Sequence, residues 1–259
     1  MTEIPDTLPA SVPPPIPPAA EPKPSSLQRI FGVLFSPVPT FESIARRPDW
    51  VVPLLILMVF SLAGGVVIAQ HVDFTALARE AIETNPQTAK VPAERLDTMV
   101  RFSAAMMKVL TFASPLVSIV VLMIVAAILM LAFRMFGGQG TFRQAFSVTI
   151  YAWYPLLIKS ILAVIVILNK KAISVFDLQN PILSNPGFLF DPKTQPVQFA
   201  LGSSLDLFTI WSLVLMIIGF AAISRLPRAR AATIVVVLWL VVKLVSLIGP
   251  ALQAVRMRS

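Results

Sequence analysis

Three ionisable side chains stand inside apolar runs of this chain and are its first candidates for chemistry: Lys159, Asp206 and Lys243. A charge at the centre of a membrane helix costs about 2.5–3.5 kcal/mol on insertion scales, so it either serves a function or escapes to an interface. Gathered in one half of a helix bundle, the three would form a polar cluster suited to a proton or anion pathway. The competing account is structural. Lysine stems of roughly 6 Å let the ammonium groups snorkel to the headgroups, while Asp206 caps the helix that follows it or pairs with Lys159. A proton-coupled site also calls for a carboxyl at mid-depth, and the apolar runs contain none.

Other chemistries find little footing. The chain has no cysteine, which removes disulfides, thiolate nucleophiles and cysteine-based metal centres. Its single histidine, His71, stands near Asp73 but lacks the companions of a metal site. Serines are plentiful, yet no Gly-x-Ser-x-Gly elbow places one as a nucleophile. Gly137-Gly138-Gln139-Gly140 follows no strand and lacks the Gly-Lys-Ser/Thr ending of a phosphate loop, so it reads as a turn between helices. The expectation is a protein with no enzymatic activity, no metal and no cofactor. A net charge of +8 suggests nucleic acid only in a soluble chain. Here basic residues flank helices and face anionic headgroups, so the bilayer and not nucleic acid is the expected partner.

The elements that position these residues follow from composition. Of 259 residues, 56% are hydrophobic and 13% charged, against about 25% charged in a soluble domain. The fold class is therefore all-α: a polytopic membrane bundle. Runs of about 20 apolar residues span the hydrocarbon as helices, and five are found, at about 51–69, 109–133, 145–168, 205–223 and 231–252. The short glycine turn after Phe133 makes the second and third spans an antiparallel pair, and Pro155 is expected to kink the third. Pro115 is expected to kink or break the second. Gly64-Gly65 permits close packing of the first span.

Outside this membrane domain of about residues 49–255, two segments differ. Residues 1–24 hold nine prolines and almost no large apolar side chains, a composition that favours disorder. Residues 25–48 read as two short interfacial helices. Leu27, Ile30, Phe31, Leu34 and Phe35 form a membrane-interface stripe at helical spacing, with Gln28 and Arg29 off it. Pro37 and Pro39 stop that helix, and Thr40 is expected to cap a second with Phe41, Ile44 and Ala45 on one side.

The two long loops carry helices and turns. Helices are expected at about 74–84 and from Pro92 onward, and Asn180-Pro181, Asn185-Pro186-Gly187 and Asp191-Pro192 mark turns in the second loop. The short connections hold Arg134 and Arg143, then Arg225, Arg228 and Arg230, with no acids. By the positive-inside rule they face the cytoplasm, as does the amino terminus. The expected location is a bacterial inner membrane.

At this point the chain resembles the Yip-one (Ypt-interacting protein) domain family of five-span membrane proteins, in its bacterial form, over about residues 27–250. The lead-in LQRIFGVLFSPVPTFESIARRPDWVVPLLI is similar to that of bacterial members. Eukaryotic members carry Asp-Leu-Tyr-Gly-Pro there; Asp49 and Pro53 keep that spacing with a different middle. FGGQGTFRQAFSVTIYAWYP resembles the family's hairpin, with Tyr151, Tyr154 and Pro155 in its aromatic segment, and LDLFTIWSLVLMIIGF resembles its fourth span. Eukaryotic relatives bind prenylated Rab-type GTPases and act in vesicle traffic or membrane shaping. For a bacterial member the resemblance implies fold and membrane location. The expected function is a non-enzymatic scaffold that organises membrane or recruits a membrane or cytosolic protein partner. The alternative is a small transporter or channel built on the kinked third helix and its lysine.

Overall fold

A computed structural model describes residues 24–83, 88, 91–170, 173–192 and 194–256. The expected tail at 1–24 lies almost wholly outside them. The described residues are helical, with no strand, and five helical segments are long and apolar enough to cross a membrane: Val51–His71, Ala93–Met135, Phe142–Leu168, Leu207–Ser224 and Arg228–Val255.

Two short helices come first, α1 (Ser26–Phe35) and α2 (Pro37–Arg46). Ser25 caps α1 in a reciprocal capping box with Gln28. Pro37 and Pro39 begin α2 instead of merely ending α1, because the first amides of a helix have no partner to lose. Thr40 is therefore not the cap. It lies one turn inside α2, and its hydroxyl donates to the Ser36 carbonyl at 2.8 Å.

The first span is α3 (Val51–His71), with α4 (Phe74–Glu83) beyond it. The second is α5 (Ala93–Met135), a single helix of 43 residues that Pro115 does not break. The proline frees the carbonyl of Thr111, and the Ser114 hydroxyl takes it up at 2.8 Å. Gly65 of α3 faces the same carbonyl; a Cβ there would sit 3.1 Å from it. Outside the apolar part of α5, Ala78 and Ile82 of α4 pack on Val100 and Ala104 to form a helical hairpin.

The third span is in two pieces, α6 (Phe142–Ala152) and α7 (Tyr154–Leu168), interrupted at Trp153 where Pro155 cannot continue the ladder. In the turn before α6, Gly137 and Gly140 have φ of 81° and 123°, conformations that glycine adopts without penalty. The second loop holds α8 (Val175–Gln179), a 3-10 turn at Pro186–Leu189 and α9 (Pro196–Ser204). The fourth span is α10 (Leu207–Ser224). The fifth is divided into α11 (Arg228–Ser246) and α12 (Ile248–Arg256).

The main core lies where α2, α3, α5, α6 and α10 meet. Leu122, Ala126, Leu129 and Phe133 bring one stripe of α5 into it, and Phe133 stacks on Phe220 of α10 at 5.0 Å. Phe41 of α2 is fully buried there. Gly219 makes room for it: a Cβ at 219 would lie 2.9 Å from the Phe41 ring and 2.4 Å from Val148. So α2 is packed on the membrane domain and forms part of its core, and is not only a strip on the interface.

Candidate functional site

Two polar nodes hold the bundle, one at each end. The first builds on Asp49, which ends the segment after α2. One of its carboxylate oxygens pairs with the Arg29 guanidinium. The other accepts from the Ser26 hydroxyl at 2.7 Å and from the Tyr151 hydroxyl at 2.8 Å. Arg29 also donates to the Arg47 carbonyl at 2.8 Å and the Ser43 hydroxyl at 3.1 Å. At the start of α7, three residues after Tyr151, Tyr154 donates to the carbonyl of Pro53 at 2.8 Å. Arg29 is only 5% exposed, so losing Asp49 would be costly, because an unpaired buried charge has no water to turn to.

This node gathers Asp49, Pro53, Tyr151 and Tyr154 into one place, with Pro155 next in the chain. These are residues singled out by the family resemblance, from segments about 100 positions apart. Arg29 was not among them. Its helix has apolar residues on two sides: Arg29, Ile30 and Val33 face the bundle, whereas Leu27, Phe31 and Phe35 face out, with Phe31 64% and Phe35 79% exposed. Leu34 is partly buried against the core. The stripe expected to lie in the interface is thus divided, Ile30 and Leu34 packing inward. Helical spacing finds apolar positions but cannot say which are covered by protein.

The second node is at the other end. Asp206 caps α10, accepting from the backbone amides of Phe208 and Thr209 at 3.1 Å each. Its second oxygen accepts from Lys159 of α7 at 2.7 Å and from the Ser184 hydroxyl. Asp206 is 1% exposed. Lys159 and Asp206 are therefore brought together, each satisfying the other. Lys243 is half-buried on α11, with no ion pair among the described residues. Ser184, in the second loop, is the member of this node that spacing did not reveal.

No group of three or more histidine, cysteine, aspartate or glutamate side chains that could hold a metal occurs among the described residues. His71 bonds the Val67 carbonyl of its own helix at 2.9 Å. Alongside the nodes, a cleft of about 760 Å³ runs between α3, α5 and α7, lined largely by apolar side chains such as Leu57, Leu122 and Ile161.

Comparison with known proteins agrees with this architecture. The Yip1 domain model matches residues 31–249. The chain is similar to "Membrane protein YknW" of Bacillus subtilis (strain 168), 23% identical over 237 residues, covering 91% of this chain and 94% of that protein. No solved structure matches. Running from the middle of α1 into α12, the match shows that the chain is a membrane protein belonging to the Yip1 domain family.

Proposed function

We propose that this protein is a non-enzymatic scaffold of a bacterial inner membrane, with its amino terminus cytoplasmic, that presents α1 at the membrane surface. The observation that carries the reading is the division of α1. Its Arg29 side is locked to the bundle through Asp49, while Leu27, Phe31 and Phe35 form an uncovered apolar edge. An amphipathic edge of this kind inserts into the headgroup–acyl boundary, or receives the apolar face of a partner, at a position the bundle holds constant. The arginines of the two short connections lie on the same side of the bundle as α2, in keeping with a cytoplasmic face.

The transporter alternative has less support. Lys159 and Asp206 are already paired with each other, and no further carboxyl stands at mid-depth among the described residues. A proton carrier must be able to give up its partner during the cycle.

The chain's lack of cysteine allows a direct test. Single substitutions Leu27→Cys, Phe31→Cys, Phe35→Cys and Gln28→Cys are spin-labelled in reconstituted vesicles. The first three labels should be accessible to oxygen and shielded from a water-soluble nickel chelate, and the fourth the reverse. If all four favour the chelate, α1 does not touch the leaflet and the reading fails.

A further inference from the structure

The left-handed region holds one non-glycine residue among those described, Arg225, with φ 59° and ψ 19°. It terminates α10, in the place where helices commonly use glycine because a Cβ is strained there. The same end of the bundle obeys that rule at Gly137 and Gly140. An arginine kept against a backbone penalty of roughly 1 kcal/mol points to a use for its side chain.

That side chain lines a cleft of about 530 Å³ between α2, the 139–141 turn and the end of α10. Arg46 lines it from α2; Gln139, Thr141 and Gln144 complete its polar wall; Glu42 is its one carboxylate. Neither Arg46 nor Arg225 has an ion-pair partner among the described residues. The cleft also includes the start of α6, whose first amides carry partial positive charge. Gln144 does not compete for a ligand, since its amide nitrogen donates to the Ala45 carbonyl at 2.7 Å and its oxygen accepts from the Thr141 amide at 2.8 Å. A cation in the last turn of a helix complements the dipole. This suits both Arg46 at the end of α2 and Arg225 at the end of α10, but the left-handed backbone at 225 still favours glycine.

We propose that this cleft binds a phosphate-bearing anion, clamped between the guanidinium groups of Arg46 and Arg225. Guanidinium offers paired donors in the geometry that phosphate oxygens accept. Two sources carry the same chemistry: the headgroup of an anionic phospholipid in the adjoining leaflet, or a soluble phosphate. The proposal goes beyond the scaffold reading and does not depend on what α1 touches.

The test uses the full chain in dodecyl maltoside, titrated separately with dioleoylphosphatidylglycerol, inorganic phosphate, dioleoylphosphatidylcholine and chloride, with thermal unfolding as the readout. Either of the first two should raise Tm well above its control, phosphatidylglycerol alone marking a headgroup and phosphate a soluble ligand. Arg46→Gln with Arg225→Gly should weaken that binding about tenfold or more, equivalent to about 1.4 kcal/mol. Arg225→Gly alone should have effects of opposite sign, raising Tm without ligand by relieving the backbone and lowering the response to ligand. Arg228→Gln, an exposed arginine close by but outside the cleft, should leave the response unchanged. If neither anion exceeds its control, or if Arg228→Gln weakens binding as much as Arg225→Gly, the proposal is overturned, the second result meaning a diffuse positive face in place of a site.

Discussion

The two halves of the third span behave as if they belonged to different proteins. In α6 every residue from Ala145 to Ala152 is buried, eight in succession, whereas in α7 only Tyr154, Pro155 and Ile167 are buried of fifteen. The break at Trp153 marks the boundary. On the α6 side, α2 and α10 close in on the helix, with Phe41 filling the space that Gly219 leaves. On the α7 side, α3 lies against the helix but α5 does not, and the 760 Å³ cleft opens between the three. Apolar content does not make the difference, since α7 is the more hydrophobic piece. In lipid an exposed leucine costs nothing, so tight packing in a membrane depends on small residues and polar pairs. The α6 side has both.

That contrast can be broken by substitution, with unfolding in detergent as the measurement. The largest loss should come from Asp49→Ala. It leaves Arg29 buried without its counter-charge and strips Ser26 and Tyr151 of their acceptor, a loss of about 3–5 kcal/mol. A change within about 1 kcal/mol would mean that the node does not hold α1 to the bundle. Gly219→Ala should follow, at about 1–3 kcal/mol, because the added methyl meets Val148 and the Phe41 ring. The same change at Gly64, on the α7 side, meets only Val164 at 3.4 Å. Gly64→Ala should be neutral or stabilise by about 0.5–1 kcal/mol, as alanine does in a helix. Equal effects at 219 and 64 would erase the distinction between the two sides. Tyr151→Phe removes a single hydrogen bond and should cost about 1 kcal/mol.

The smallest effect concerns pH. Burial pushes the Asp177 carboxyl up, but bonds from Lys170 and Ser174 outweigh this and hold it below the usual carboxylate range. A lowered folded value stabilises the protein above the unfolded pKa of about 3.9, and the gain is lost as pH falls through the folded value. Wild type should therefore lose more stability than Asp177→Asn on acidification below about pH 4, by under about 1 kcal/mol because the site is near the surface. Identical acid profiles would show that the contact with Lys170 contributes nothing.

Much of this architecture could be read from residues alone. Five spans, the glycine turn and the interruption at Pro155 all follow from chain-local rules, and the structure has each of them. Asp206 as a helix cap and as a partner of Lys159 was one of the alternatives the residues left open, and both bonds are present. The division of the fifth span at Leu247 was not anticipated, although Gly249 and Pro250 stand just beyond it. Arg29 was missed for a different reason. Its partners are 14 to 20 positions away, and a helix with apolar residues on two sides does not announce which of them meets protein. The depth of α2 was hidden likewise, because it depends on a glycine 178 positions after Phe41, as 219 less 41 shows. Pro115 pointed to a kink or a break, and the helix runs through it unbroken, with the Ser114 hydroxyl taking up the carbonyl that the proline frees.

The unbroken α5 has a mechanical consequence. Sixteen of its residues, 93 to 108, precede the apolar stretch that begins at Val109. At 1.5 Å per residue they carry the helix about 24 Å beyond that stretch. Buttressed by α4 through Ala78 and Ile82, this is a stiff post and not a tether. Whatever grips its tip is held at a set distance from that stretch, and a sideways push there tilts the same rod that lies against Gly65 where the stretch begins.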